Sequence, residues 1–534
     1  MIRVALAQIN PVVGDIKSNA FKIIDFIERA RKRGVDILAF PESSLPGYPP
    51  EDLLYKPYFI AENKRFLEII RKKCEGISVL IGFVDKDKNR IYNACAFIQN
   101  KIIKNIYHKI SLPNYGVFDE RRYFTPGDSL SIFELGQYRF ALTICEDIWE
   151  KGVLSGLRDK KLDFLINISA SPFHLDKISL RRKVLANAGA QAKCFVFYCN
   201  LVGGQDELVF DGTSKIVSNK GHVVASARRF EEDLFVFDFE KNKKYPSKKI
   251  IIKSQEEAFS ALKLGLYDYV NKNKFTKVVV GVSGGIDSAV VLGLSSIALG
   301  KDNVFGLIMP SKFSSPQTFH DAVRVCDNLG VKYKVINIDR IYRAYLKELK
   351  KSFEALTSDV TQENIQARIR GNILMAFSNK FGYLVLNTGN KSEVSCGYCT
   401  LYGDMVGGFG VLKDVPKLLV YKIADHVNKV LKFKAIPSSI FNRPPTAELK
   451  PGQKDSDTLP VYEQLDPILK LYIEDNLSLE KITKLGYKKE LVARIISMVD
   501  SNEYKRRQSP IGIKITPRAF GKDRRMPITN RFRH

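Results

Sequence analysis

What this sequence has little of already narrows it. No run of ~18 apolar residues occurs, so no stretch reads as a membrane-spanning helix. The start, Met1–Gln8, turns polar within a few residues and lacks the basic-then-apolar layout of a signal peptide; it reads as a buried strand. Tryptophan occurs once and histidine six times. Eight cysteines (74, 95, 145, 194, 199, 326, 396, 399) follow no regular spacing, which argues against a disulfide framework and for a reducing, cytoplasmic setting. Glycine (35) and proline (22) are too few for a collagen-like or low-complexity chain. Acidic residues are also short: 58 against 84 Lys and Arg, a formal charge of +26. That surplus raises nucleic acid, an anionic membrane or phosphorylated small molecules as partners. Much of it sits in runs such as Arg71–Lys73, Lys243–Lys244 and Lys248–Lys249, which read as solvated surface. With no RNA-recognition, helix-turn-helix or zinc-finger pattern, neither a nucleic-acid nor a membrane partner is expected. The rest is ordinary globular composition, with 45% apolar and 27% charged residues; 534 residues predict two to four domains.

Short apolar runs alternate with amphipathic segments, the layering of an α/β protein. Strands are predicted at Ile2–Ile9, Val35–Phe40, Ser78–Val84, Cys95–Ile98, Phe140–Cys145, Phe164–Ser169, Phe195–Asn200, Val223–Ser226 and Asp233–Asp238. Helices are predicted at Asn19–Lys32 and Arg181–Ala192. The lysine-rich segment Glu240–Ser254 reads as a connector. Beyond it, helix Gln255–Asn271, strand Lys277–Val282, helix Ser288–Ala298, strand Val304–Met309, helix Gln317–Leu329 and strand Lys332–Asn337 give repeated βαβ punctuation, the mark of a parallel sheet covered on both faces. Two α/β domains are expected, 1–245 and 246–534.

Three segments of the first domain set a reactive group beside an apolar run: Phe40-Pro41-Glu42, His108-Lys109 with Leu112-Pro113 shortly after, and Cys145-Glu146-Asp147-Ile148-Trp149. A cysteine at a strand-to-helix turn is placed to attack a substrate, a carboxylate can take its proton, and an ammonium can stabilise an oxyanion. In the second domain, Val278-Val279-Val280-Gly281-Val282-Ser283-Gly284-Gly285-Ile286-Asp287-Ser288 is a buried strand, a glycine turn and a helix start. Paired glycines allow close approach of an anion to backbone N–H groups, and the helix N-terminus favours negative charge. Asp287 there would repel phosphate unless Mg²⁺ lay between them. The segment lacks the lysine of a Walker loop. Cys396 and Cys399 have CxxC spacing, but no second pair or histidine cluster completes a zinc site.

The first three segments resemble, in order and spacing, those of the nitrilase-type amidohydrolases. The resemblance implies Cys145 as nucleophile, Glu42 as general base and Lys109 as oxyanion stabiliser, with Glu120 as a second glutamate and His108 outside the reacting centre. Tyr115, Ser171 and Lys177 match positions where glutamine-using relatives contact their substrate. The glycine turn resembles the ATP-pyrophosphatases, which adenylate a carbonyl oxygen. Segments around Asn364–Asn372, Thr388–Glu393, Tyr398–Asp404, Arg443–Leu449 and Tyr504–Gln508 are similar to those of NAD synthetases.

That likeness implies ATP binding by Gly281, Val282, Ser283, Gly284, Gly285, Ile286, Asp287, Ser288 and Thr388. It places deamido-NAD by Asn364, Glu393 and Lys505, Mg²⁺ by Asp287 and Glu393, and gives Arg368 and Arg370 a phosphate or dimer-interface role. Taken whole, the chain resembles the glutamine-dependent NAD⁺ synthetases. A nitrilase-like αββα sandwich fused to a doubly wound synthetase domain is therefore expected, using L-glutamine, ATP and deamido-NAD and assembling as a homo-oligomer.

Overall fold

The computed structural model of this chain describes residues 1–247, 253–353 and 359–532. It forms two compact units, Met1–Ile252 and Lys253–His534. Residues 248–252 of the expected connector lie outside the described residues.

The first unit is built on two six-stranded sheets. One runs in the order Asp233–Phe239, Ile2–Gln8, Ile37–Ala39, Ser78–Asp87, Arg90–Gln99, Ile102–His108; the other runs Val223–Ser226, Lys215–Val217, Phe195–Asn200, Phe164–Ser169, Tyr138–Ile144, Ser131–Leu135. Both are parallel at the centre and antiparallel at the edges. Strand alternation decides the layering. Val4 and Leu6 share one core with Phe140, Leu142, Phe164 and Phe197 of the facing sheet. Ala5 and Ala7 point the other way, toward Ile23 and Ile27 of helix Ile16–Lys32 and Phe66 and Ile70 of helix Pro57–Arg71. The outer face of the second sheet packs Leu165 and Val196 against Leu185 and Ala188 of helix Lys177–Ala192. The result is a four-layered αββα sandwich. Glu42, Cys145 and Ser171 all lie just past the C-terminal ends of central parallel strands.

The structure adds elements the apolar pattern hides. Strand Ile102–His108 is an edge strand, largely exposed, so its residues never had to read as core. Strand Arg90–Gln99 starts well before Cys95; Arg90 and Asn93 interrupt the apolar run of its first half. Helix Pro57–Arg71 buries Phe59, Ile60, Asn63, Phe66, Leu67 and Ile70, a regular helical stripe diluted by charge. The helix expected from Arg181 begins at Lys177.

In the second unit a five-stranded sheet has the order Lys332–Val335, Val304–Ile308, Val278–Gly281, Leu384–Asn387, Phe409–Gly410, every neighbouring pair parallel. The chain fills one side of Val278–Gly281 and then crosses to the other. The loop after this strand therefore opens into a crevice at the switch of direction, where α/β sheets bind their ligands. Val279, Leu307 and Val385 pack one face against Ile365, Ile369 and Leu374 of helix Val360–Phe381.

Candidate active sites

In the first unit, two carboxylates from separate segments converge on one buried lysine. Lys109 donates from Nζ to Glu42 Oε1 at 2.7 Å and to both carboxylate oxygens of Glu120 at 2.8 Å. Glu42 is held at both ends: Oε1 also accepts from Asn93 Nδ2 at 2.7 Å, and Oε2 from the Ala170 N–H at 2.8 Å. Tyr48 donates to Glu120 Oε1 at 3.0 Å. Cys145 opens a short 3₁₀ turn right after strand Tyr138–Ile144, with φ of 43°, a backbone conformation costly for a non-glycine residue and common at active sites. Asp147 supports the turn, accepting from the Ile144 N–H, the Tyr107 hydroxyl and the N–H groups of Ile110 and Ser111.

The electrostatics follow from this crowding. Burial pushes the Cys145 thiol well above its usual range, and Glu42 adds to the effect while Lys109 opposes it. Burial would lower the Lys109 ammonium, but Glu120 and Glu42 outweigh it and hold it raised. Two carboxylates share this one cation, so burial with Glu42 nearby lifts Glu120 to about 7 even against Lys109. The resting arrangement is a protonated thiol beside a fixed, charge-rich acid–base pair.

Next to the cysteine in the chain stands a carboxylate that sequence reasoning passed over. Glu146 is buried and accepts from the Tyr115 hydroxyl at 2.9 and 3.1 Å, while Lys177 acts on it electrostatically. The Lys177 ammonium stands 4.7 Å from the Trp149 ring centroid. Ser171 is buried, its N–H donating to Asn200 Oδ1 at 3.0 Å. Tyr115, Lys177 and the missed Glu146 thus cluster, with Ser171 on the loop that also reaches Glu42. The available signal for Glu146 was its place next to the cysteine. His108 stands apart, stacked on Tyr92 and bonded to Asp85.

In the second unit the glycine turn borders a cavity. Ser283, Gly285, Ile286, Asp287 and Ser288 line it, with Gly281, Val282, Thr388 and Glu393. Gly284 is not a lining residue; its φ is +80° and a Cβ there would meet the Thr318 carbonyl oxygen at 2.1 Å, so no other residue fits. Ser288 Oγ accepts from the Ser283 N–H at 3.2 Å and stands 3.1 Å from Ser283 Oγ, pinning the turn. Asp287 accepts from Asn390 Nδ2 at 3.0 Å. Lys417, which sequence reasoning missed, bridges Asp287 and Glu393 through Nζ. Burial, with Asp287 and Asp455 nearby, lifts Glu393 to about 7 against the pull of Lys417. Burial likewise raises Asp455. Three carboxylates therefore surround one ammonium, leaving a local excess of negative charge. Among the described residues no group of three or more His, Cys, Asp or Glu forms a ready cation cage.

Arg370 lines the same cavity, and burial lowers its guanidinium to about 10; its Nε donates to the Met309 carbonyl. Asn364 and Lys505 are not lining residues: Asn364 accepts from Thr400 Oγ1, and Lys505 Nζ donates to the carbonyls of Gly397 and Cys399. Arg368 is exposed and bonds the Leu401 carbonyl. All eight cysteines are free thiols; Cys399 lines the cavity and Cys396 is buried.

Residues 3–243 match the carbon-nitrogen hydrolase family and residues 258–509 the NAD synthase family. Over its whole length the chain is 46% identical to the glutamine-dependent NAD(+) synthetase of Thermotoga maritima, covering 99% of that relative. It is likewise 46% identical to that of Aquifex aeolicus, covering 100%. Among solved structures, the glutamine-dependent NAD+ synthetase from Acinetobacter baumannii in complex with ADP is 38% identical, with a TM-score of 0.81 over 99% of this chain and 98% of that one. The enzyme from Cytophaga hutchinsonii, at 22% identity and a TM-score of 0.86, shares the fold.

Proposed function

The chain belongs to the glutamine-dependent NAD⁺ synthetases, and from that membership we propose how its residues divide the reaction. The enzyme is a ligase: nitrogen taken from glutamine amidates deamido-NAD after adenylation by ATP, giving NAD⁺, AMP, pyrophosphate and glutamate. The observation that carries the residue assignment is the convergence of Glu42, Lys109 and Glu120 on the turn that bears Cys145.

Glu42 takes the thiol proton as sulfur attacks the glutamine carboxamide, and the Lys109 ammonium stabilises the developing oxyanion. The proton passes to the leaving nitrogen as the C–N bond breaks. Glu42 then activates water to hydrolyse the thioester. Glu146 and Tyr115 face the substrate's α-ammonium, and Ser171 and Lys177 its α-carboxylate.

In the second unit the turn Ser283–Ser288 with Thr388 cradles the ATP phosphates, and Lys417 supplies positive charge beside them. Deamido-NAD is proposed to reach Asn364 and Lys505. Its carboxylate attacks the α-phosphate, pyrophosphate departs, and ammonia displaces AMP from the resulting mixed anhydride. Asp287 and Glu393 are the proposed Mg²⁺ ligands: the carboxylates around Lys417 outnumber its single charge, and Mg²⁺ is commonly held by one or two carboxylates together with substrate phosphates. Bound there, it would neutralise charge on the phosphates. Ammonium has no lone pair for attack, so the nitrogen is proposed to pass between sites without equilibrating with solvent. Free thiols throughout fit a cytoplasmic, reducing compartment, and no helix among the described residues is long and apolar enough to cross a membrane. A homo-oligomer is proposed as the assembly, to be checked by sedimentation velocity.

The test is Cys145→Ala assayed with ATP and deamido-NAD. Glutamine-supported NAD⁺ formation is expected to vanish while ammonia-supported formation persists. Loss of both would overturn the division of labour.

A further inference from the structure

We propose that the buried Arg181–Asp211 ion pair is a positioning device for the amide-hydrolysing site, anchoring at Ser171 the short loop whose preceding Ala170 N–H meets Glu42. Arg181 lies one turn into helix Lys177–Ala192 and is only 1% exposed; Asp211 ends strand Leu208–Asp211 and is fully buried. Their contact is two-pronged: Nη1 donates to Asp211 Oδ2 at 3.1 Å and Nη2 to Oδ1 at 3.0 Å. Thr213 Oγ1 donates to the same carboxylate at 2.7 Å. Such a pair gains little net stability over apolar residues of equal size, since desolvating both charges consumes most of the attraction. Its position explains more than its energy does.

Arg181 Nη2 also reaches the Ser171 carbonyl oxygen and Ser171 Oγ, each at 3.4 Å. Ser171 follows Ala170, whose N–H donates to Glu42 Oε2. Uncharged groups supply further ties on this stretch: Leu201 N–H to Ser169 O, Ser169 Oγ to Asn167 Oδ1, Ser171 N–H to Asn200 Oδ1, and Phe173 N–H to Val209 O. Arg181 is therefore the cation that ties the Ser171 carbonyl and hydroxyl to the buried Asp211. Losing that tie would free the loop after strand Phe164–Ser169, letting the Ala170 N–H drift from Glu42 and the Ser171 hydroxyl shift with it. The planar fork matters, because a lysine cannot span Asp211 and the loop at once.

The inference rests on the assignment of Glu42 and Cys145 given above. Arg181→Lys and Asp211→Asn are compared in the full-length enzyme. Four measurements are made: glutamine-dependent kcat and KM, ammonia-supported synthesis, the rate of Cys145 alkylation by iodoacetamide, and unfolding of the first unit followed by its tryptophan. A misplaced base costs about 10²-fold in turnover. Accordingly, kcat with glutamine is expected to fall about that far in folded Arg181→Lys and Asp211→Asn. KM should rise only a few-fold, alkylation should slow, and ammonia-supported synthesis should be unchanged. Alkylation makes no use of the glutamine contacts, so its slowing separates an effect on Glu42 from lost substrate binding. Unaltered kcat in either folded variant would overturn the proposal, as would a loss that merely tracks the unfolded fraction. Cys145→Ala serves as the control on the underlying assignment. If it retains glutamine-dependent activity, that assignment fails; if it is inactive while both pair variants turn over normally, only the positioning role fails.

Discussion

Beside the Arg181–Asp211 pair sits a lysine whose burial can be tested thermodynamically. Lys215 is only 1% exposed and lies across from Tyr198 in the second sheet. Burial, reinforced by Arg181 and opposed by Asp211, lowers its ammonium from 10.5 to about 7. Between those values the folded chain binds fewer protons than the unfolded one, so stability rises with pH across that window. At 1.36 kcal/mol per unit, the penalty is about 4 kcal/mol at pH 7, about 3 kcal/mol at pH 8.5 and under about 1 kcal/mol at pH 10. Lys215→Met keeps the length of the side chain and removes the charge, while Asp211 keeps its arginine. The variant should therefore be more stable by about 4 kcal/mol at pH 7, with the gain shrinking to under about 1 kcal/mol at pH 10. Urea unfolding followed by fluorescence reads this directly, because Trp149 is the only tryptophan and lies in the first unit. A gain independent of pH, or a loss at pH 7, would refute the reasoning.

Other outcomes test the sites. Asp287→Ala should abolish synthesis with either nitrogen donor and leave glutamine hydrolysis intact; full activity with ammonia would sink its phosphate-site role. Glu146→Gln should raise KM for glutamine by about 10–10²-fold, since a charge-assisted hydrogen bond to the substrate's ammonium is weakened, with little change in ammonia-supported KM for deamido-NAD. Glutamine labelled in its amide nitrogen, run against excess unlabelled ammonium at neutral pH, should give NAD⁺ carrying mostly the label. Dilution to the solution ratio would contradict protected passage.

The groups proposed to react stand out in the sequence because each sits in a short local string at the end of an apolar strand: Phe-Pro-Glu, His-Lys and Cys-Glu-Asp in one unit, the valine run and glycine turn in the other. What holds them was not. Asn93 reaches Glu42 across 51 residues, the Ala170 N–H across 128, and Lys417 reaches Asp287 across 130. No local pattern encodes such pairings, because they are set by which strands lie side by side. Asn93 did leave a trace, as a buried amide within an otherwise apolar stretch of its strand. Edge strand Ile102–His108 was hidden for the opposite reason, since exposure frees it from the apolar alternation by which strands are recognised. The partners of Lys505 were equally hidden: its ammonium donates to the Gly397 and Cys399 carbonyls, more than a hundred residues away.

The raised Cys145 thiol carries a consequence for chemical stress. Peroxide and general electrophiles react with standing thiolate, and low-pKa cysteines are the first to climb the oxidation ladder. Cys145 rests as a thiol because it is buried next to Glu42. In the division of roles proposed above, its nucleophile is released only when the proton can move to that carboxylate during attack. An oxidant meets a dormant sulfur, whereas an amide seated in the pocket meets an activated one. On the roles proposed above, desolvation sorts reagents at this sulfur, and peroxide should react with it more slowly than with an exposed, acidic cysteine.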